Sequence, residues 1–261
     1  MKKFAILPIC LMATSLILSA QPVDSSRLIR IFTYNILHGA TMNGDFDLDR
    51  IAKVIKSFDP DIVALQEVDY KTNRARKMDL ATELGYRTQM APLFGRAMYY
   101  DGGEYGEGLL SKYTFISTTN HPLPYTEGKE PRAALEAVFI LASGDTICFI
   151  GTHLDHESED YNRQSQADEI NRIYANTSKP TILAGDLNAT PESPVMQSLF
   201  KFWTPAFTEF LPTYPSMNPK KKIDYILYKP AKRWRVLSKK VVCDEVASDH
   251  CGVFVVMELL D

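Results

Sequence analysis

The chain is poor in cysteine, has no paired metal-ligand spacing and has no linker, and each shortage removes a class of architecture. Four cysteines in 261 residues cannot build a disulfide scaffold. Cys10 falls in a segment expected to be removed, which leaves an odd number: Cys148, Cys243 and Cys251. Cys243 and Cys251 could pair across a loop, but two small buried thiols in strands are the expectation. Neither Cys-x-x-Cys nor His-x-x-x-His occurs, which argues against structural zinc. No stretch rich in Gly, Ser or Pro divides the chain, so a single domain over 21–261 is expected.

Long apolar runs are also scarce. At the start, Lys2 and Lys3 precede Phe4 to Leu18 and a small-residue exit at Ser19-Ala20, the layout of a cleaved export signal over 1–20. The run is too short to make a membrane anchor persuasive, so a periplasmic or extracellular protein without stable membrane insertion is expected. An excess of positive charge is missing as well. That segment carries two lysines and no acid, so the rest has 29 − 2 = 27 basic against 32 acidic residues, a net charge of −5. Tight nonspecific binding to duplex nucleic acid is disfavoured, whereas local charge could still serve a phosphate ester.

What is present is a series of apolar strands that end in polar residues. Thr181-Ile-Leu-Ala-Gly-Asp186-Leu-Asn188 joins a short apolar strand to an acid and an amide two residues apart. If the chain stays extended there, both face one pocket at the strand's C-terminal end. An Asp-x-Asn pair suits the handling of water or an anionic oxygen, and it equally suits an ordinary turn. Leu28 to Tyr34 reads as a buried strand ending at Asn35, and Asp61 to Val68 as another closed by Glu67. An acid at the end of a buried run must find a cation, a donor or water. A divalent ion satisfies Glu67 best if Asn35 lies on the neighbouring strand.

Two further ends follow. Asp145 to His156 is a strand whose end carries His153, Asp155 and His156, with His153 and Asp155 expected on one face. The trio invites a zinc reading, but no further histidine lies nearby in sequence. Asp224 stands within the apolar run 223–228, and Ser248-Asp249-His250 directly precedes the final hydrophobic strand. Asp224 is the natural partner to orient and charge His250.

Weaker candidates accompany these. Arg132, where a polar loop becomes strand, could meet a substrate phosphate or be a plain surface arginine. A helix from about Ser158 to Tyr174 spaces Arg163, Gln166 and Glu169 as on a solvated face. Phe202, Trp203, Phe207, Phe210 and Tyr214 form a packing cluster or a substrate lip. The basic residues between 220 and 240 are expected to be mainly solvent-facing.

Taken in order, Asn35, Glu67, His153-x-Asp155, Asp186-x-Asn188, Asp224 and Ser248-Asp249-His250 resemble the endonuclease/exonuclease/phosphatase superfamily. The phrases Thr-Tyr-Asn35-Ile, Leu-Gln-Glu67-Val-Asp, Gly-Asp186-Leu-Asn188 and Ser-Asp249-His250 carry the likeness from about Leu28 to Val256. Tyr-Gly-x-Gly-Leu-Leu-Ser-Lys and Gly-Thr-His-Leu-Asp look most like exported bacterial metal-dependent hydrolases. The resemblance implies an α/β (α+β) four-layer sandwich: two mixed, mainly antiparallel sheets flanked by helices. It also implies a magnesium-dependent phosphoesterase, with manganese as a substitute. Glu67, Asn35 and Asp249 would hold the metal. Asp186 and Asn188 would position or activate water, His250 with Asp224 would stabilise charge on the phosphate, and His153 would complete the catalytic set. Arg132 and Asp155 are candidate substrate contacts. The segment after Glu67 lacks a basic residue two positions on, where some nucleases of the superfamily have one. A nuclease acting on DNA or RNA remains the alternative, and a non-catalytic binding module on the same fold the rival of another class; a monomer is expected.

Overall fold

Runs of β-branched and aromatic residues favour strands, and the described residues hold twelve of them. The structure is a computed structural model that describes residues 23–261. The expected signal over 1–20, with Cys10, lies outside the described residues. In chain order, β1 (Leu28–Asn35), α1 (Leu48–Lys56) and β2 (Ile62–Tyr70) are followed by α2 (Leu80–Thr88) and the hairpin β3 (Ala91–Tyr100) and β4 (Gly103–Ser111). Next come β5 (Ser117–Pro122), β6 (Ala133–Ile140), β7 (Thr146–His153), α3 (Tyr161–Tyr174) and β8 (Thr181–Asp186). The chain closes with α4 (Pro194–Leu199), β9 (Thr204–Pro205), β10 (Asp224–Lys229), β11 (Trp234–Val242) and β12 (Gly252–Leu259).

One sheet runs β11-β12-β1-β2-β4-β3 and the other β5-β6-β7-β8-β10-β9. Each has a single parallel pair, β1 with β2 and β7 with β8, and every other pairing is antiparallel. The α/β four-layer sandwich implied by the resemblance is therefore the observed fold. Strand alternation builds its layers. Ile29 and Ile31 of β1, Ile62 and Ala64 of β2, Ile147 and Phe149 of β7, and Ile182 and Ala184 of β8 fill the layer between the sheets. Phe32, Val63 and Leu65 face outward onto α1 and α2, while Ile150 and Leu183 face α3 and α4.

The same alternation determines where the polar ends go. Asn35, His153, Asp186 and Asp224 share the parity of the inter-sheet residues of their own strands, so the end of the apolar layer becomes a polar floor. Gly185 lets the parallel pair close there, since a Cβ on it would lie 1.9 Å from the carbonyl oxygen of Thr152.

Several expectations change. The strand at 62 does not end at Glu67 but continues to Tyr70. Gly85 sits inside α2, which Asp79 caps. Arg163 and Gln166 are buried, not solvated: Arg163 donates to the carbonyls of Asp155 and Glu157, and the Gln166 side chain accepts from the Asp155 N–H, which ties α3 to the end of β7. Trp203 and Phe207 are core residues.

The largest correction concerns Cys243 and Cys251, which form a disulfide. Val242 pairs with Gly252 at the end of the β11–β12 ladder, so the next residue on each side is brought opposite, with Cα atoms 4.3 Å apart. A spacing of eight residues does not reveal that two strands are hairpin partners. The cross-link closes the loop that carries Ser248, Asp249 and His250. Removing it as Cys243→Ala with Cys251→Ala is expected to lower stability by about 2–3 kcal/mol in urea unfolding. A loss below about 0.5 kcal/mol would mean that the loop's hydrogen bonds hold it closed unaided.

Candidate active site

Parallel neighbours end at the same edge of a sheet, and here both parallel pairs end at the same side of the sandwich. Asn35 closes β1; His153 and Asp186 close β7 and β8 and are register partners. Asp224 opens β10 directly across from Asp186. Glu67 reaches this edge by a different device. The β2–β4 register slips between Leu65 and Val68, and Glu67 takes φ 60°, a bulge that re-aims its side chain. Asn188 lies beyond the end of β8 in a left-handed conformation at φ 48°, with its N–H donating to Asp186 Oδ1 at 2.9 Å. An Asx turn, not an extended chain, brings the Asp-x-Asn pair together.

The hydrogen bonds join both sheets. Asn35 Nδ2 donates to Glu67 Oε1 at 3.1 Å and to Asp186 Oδ2 at 3.3 Å, while its Oδ1 accepts from the Leu37 N–H. Ser248 Oγ donates to the Asn35 carbonyl, and the His250 N–H donates to Ser248 Oγ. His250 Nδ1 faces both oxygens of Asp224 at 3.1 and 3.2 Å, and its Nε2 lies 3.6 Å from Asp186 Oδ2.

The two histidines are pushed in opposite directions. Burial lowers His250, but the charges of Asp224 and Asp186 outweigh it and raise the imidazole to about 10. Burial pulls His153 well below its usual range, and the nearby Arg132 charge pulls the same way. The Asn188 amide nitrogen is anchored on the Leu154 carbonyl at 3.0 Å and lies 3.0 Å from His153 Nε2. That nitrogen therefore accepts, which puts the ring's proton on Nδ1. Asp186 is raised by burial and by Asp224, opposed by His250. Burial pushes Glu67 up, yet the hydrogen bonds from His38 and the Asn35 amide prevail and hold it below the usual carboxylate range.

Asp186, Asp224 and His250 present ligand atoms within 4.8 Å of one another. A protonated imidazole offers a metal no lone pair, so these three read better as an Asp–His–Asp ion pair. The second acidic group is Glu67 with Asp249. Burial raises Asp249, His250 opposes this, and the Glu67 charge raises it further, a repulsion that a divalent cation would relieve. Two carboxylates beside a side-chain amide are hard oxygen donors that fit magnesium.

These groups open into a hollow of about 670 Å³ lined by Glu67, His153, Asp186, Asn188, Asp249 and His250. Arg132 lies in its wall and is 2% exposed, so it is not a plain surface arginine. Its Nη2 meets Glu130 and His156, while Nε and Nη1 are buried without a partner. Asp155 does not join the site. Its carboxylate accepts from Asn162 and from the Glu157 N–H, turned toward α3. The zinc reading fails with it, because His153, Asp155 and His156 face three different partners. Of the proposed aromatic lip, Tyr214 alone lines the hollow, its ring 4.8 Å from that of His250. Of the basic stretch, Lys221 lines it, whereas Lys222 and Lys229 are buried and donate to backbone carbonyls.

A model of the endonuclease/exonuclease/phosphatase family matches residues 32–250. The chain belongs to that family. Solved structures with the same fold include a family protein from Beutenbergia cavernae, 22% identical with a TM-score of 0.73, covering 90% of this chain and 72% of that one. Another, from Bacteroides vulgatus, is 22% identical with a TM-score of 0.74 over 89% of this chain and 99% of that one. A mannosyl-6-phosphatase from Bacteroides thetaiotaomicron is 17% identical with a TM-score of 0.71 over 87% and 98%.

Three family-site neighbours escaped the sequence reading. His38, in a turn after β1, sits with Nδ1 3.4 Å from Glu67 Oε2. Arg74 lines the hollow from the loop after β2. Glu107, on the inter-sheet parity of β4, is fully buried with neither oxygen bonded, and burial raises it far above the usual carboxylate range. The signal in the sequence is the lone acid in Tyr105-Gly-Glu107-Gly-Leu-Leu. For His153, imidazole nitrogen NMR is expected to show one neutral tautomer at neutral pH, protonated on Nδ1, with a midpoint well below the ordinary imidazole range. A midpoint near 6.5 would refute the assignment.

Proposed function

We propose that the protein is an exported, magnesium-dependent phosphoesterase that cleaves a phosphodiester or phosphomonoester by attack of water. The observation that carries this reading is the convergence of strand ends from both sheets on one hollow, where acids, an amide, a neutral histidine and a cationic one meet. Glu67 and Asp249 would hold the ion, and Asn35, whose amide nitrogen donates to Glu67, would orient that carboxylate. When bound, magnesium or manganese would neutralise charge on the phosphate.

The chain's own groups do the rest. Asp186, beside Asn188, aligns the attacking water and receives its proton as the new P–O bond forms. His250, charged by Asp224, donates to a phosphoryl oxygen and stabilises the charge that accumulates there. Neutral His153 fixes the Asn188 amide, and the two unpaired donors of Arg132 suit another phosphoryl oxygen. The P–O ester bond breaks and the alkoxide leaves, taking a proton from solvent water, while Asp186 returns the proton it received to solvent. Export is supported by the N-terminal pattern and by the Cys243–Cys251 disulfide, a bond typical of oxidising compartments. Among the described residues no helix is long and apolar enough to cross a membrane.

The test is a panel of p-nitrophenyl phosphate, bis(p-nitrophenyl) phosphate, plasmid DNA and RNA, each with chelator and with added metal. Chelation is expected to abolish turnover, and magnesium or manganese to restore it. Turnover indifferent to chelation would end the metal-dependent reading. Cleavage confined to plasmid or RNA would favour the nuclease, and no cleavage of anything would favour a binding module. His250→Ala is expected to lower kcat by roughly 10²-fold or more with an unchanged circular dichroism spectrum. Glu67→Gln should weaken magnesium binding in calorimetry, and equal binding would place the ion elsewhere.

A further inference from the structure

The turn after β1 is conformationally unfavourable. Leu37 and His38 both take φ 46°, and Gly39 takes φ 83°. Histidine visits the left-handed region more readily than most residues, whereas a leucine there is a genuine outlier. The turn is nevertheless fixed from several sides. Asn35 Oδ1 accepts from the Leu37 N–H, the Ile36 N–H donates to the Gln66 carbonyl, and the Gly39 and Ala40 N–H groups donate to the carbonyls of Ile36 and Leu37. Gly39 is required, since a Cβ there would lie 2.7 Å from the Phe46 ring.

The neighbouring strand is distorted to match. Glu67 takes φ 60° in the bulge of β2, and the two distortions together create one contact, His38 Nδ1 at 3.4 Å from Glu67 Oε2. Strain that many contacts hold in place collects where function needs a side chain in one position. Glu67 is ionised and can only accept, so the proton of this bond belongs to Nδ1. Asn35 Nδ2 holds the other oxygen, Oε1, at 3.1 Å. Among the described residues His38 is the one ion-pair partner of Glu67, and both side chains line the hollow. Each carboxylate oxygen has a further lone pair, so neither donor need be displaced when a hard cation arrives. At 3.4 Å the imidazole bond is long, and it steers the carboxylate without saturating it.

We infer that His38 is a positioning residue for the metal carboxylate: alongside Asn35 it holds Glu67 in the orientation that receives the divalent ion. Donors behind a metal ligand change affinity by roughly 10- to 100-fold, and a single long bond belongs at the lower end of that range. The inference rests on the reading that the ion sits at Glu67 and adds the residue that aims it.

Calorimetry of magnesium and of manganese binding to the whole protein, without substrate, tests it. Three variants separate the donor from the backbone. His38→Asn keeps an N–H donor where Nδ1 stands and tolerates the left-handed backbone. His38→Gly relieves that backbone and has no donor, and His38→Phe keeps a ring without one. The dissociation constant is expected to rise about tenfold in His38→Gly and His38→Phe and to stay within about threefold of the parent in His38→Asn, with native circular dichroism spectra. Unchanged binding in either donor-free variant, or binding by His38→Asn as weak as theirs, overturns the inference. A purely conformational role would show as a higher urea midpoint for His38→Gly with its metal affinity intact. Should one donor-free variant fail to fold, the other carries the comparison; failure of both makes His38 a structural residue and overturns the inference as well. Glu67→Gln is the control. If it binds as tightly as the parent, or the parent binds no ion, the metal reading fails and takes this one with it. If it weakens binding while the His38 variants do not, the role of His38 alone falls.

Discussion

A carboxylate that is 1% exposed has lost nearly all its water, and Asp186 must recover that solvation from the protein. It does so from separate segments: the Asn35 amide of β1, the Asn188 N–H just past its own strand, and the imidazole of His250 ahead of β12. Asp224 completes the arrangement by holding His250 from the far side. Apart from the local Asn188 bond, these contacts exist only when both sheets are packed, so the site is a product of the whole fold. Parallel pairing at the centre of each sheet makes the convergence available, because it delivers two strand ends per sheet to one edge.

The surrounding walls divide the labour of charge. Many cations of this acidic protein are committed: Arg30 to Asp61, Arg74 to Asp69, Arg235 to Glu258. Arg132 differs, since two of its buried donors point at nothing in the protein. A buried guanidinium with unused donors is costly unless a ligand supplies the acceptor. Arg132 is paired through Nη2 with Glu130, and its remaining donors suit the anion of the proposed reaction.

Some of this was readable from residue order. Asn35, Glu67 and Asp186 each stand where an apolar run turns polar, Asp249 and His250 directly precede one, and strand alternation with that punctuation places them at strand ends, whereas Asp224 reads as an acid within its run. Asp224 and His250 were paired by chemistry alone, and they meet. Asp155 shows where such reading stops. Two residues past His153 it leaves the strand, so the expected common face does not exist, and its acid serves α3 instead.

Local patterns therefore set the strands, their buried faces and the polar character of their ends, because a period of two and an acid beside an apolar run are properties of consecutive residues. Which strands become neighbours is not such a property. The bulge that swings Glu67, the hairpin that joins Cys243 to Cys251, and the burial of Arg132, Arg163 and Glu107 arise when distant segments pack. Desolvation acts through three-dimensional neighbours, and so the opposite protonation of His153 and His250 was decided only when the two sheets closed around them.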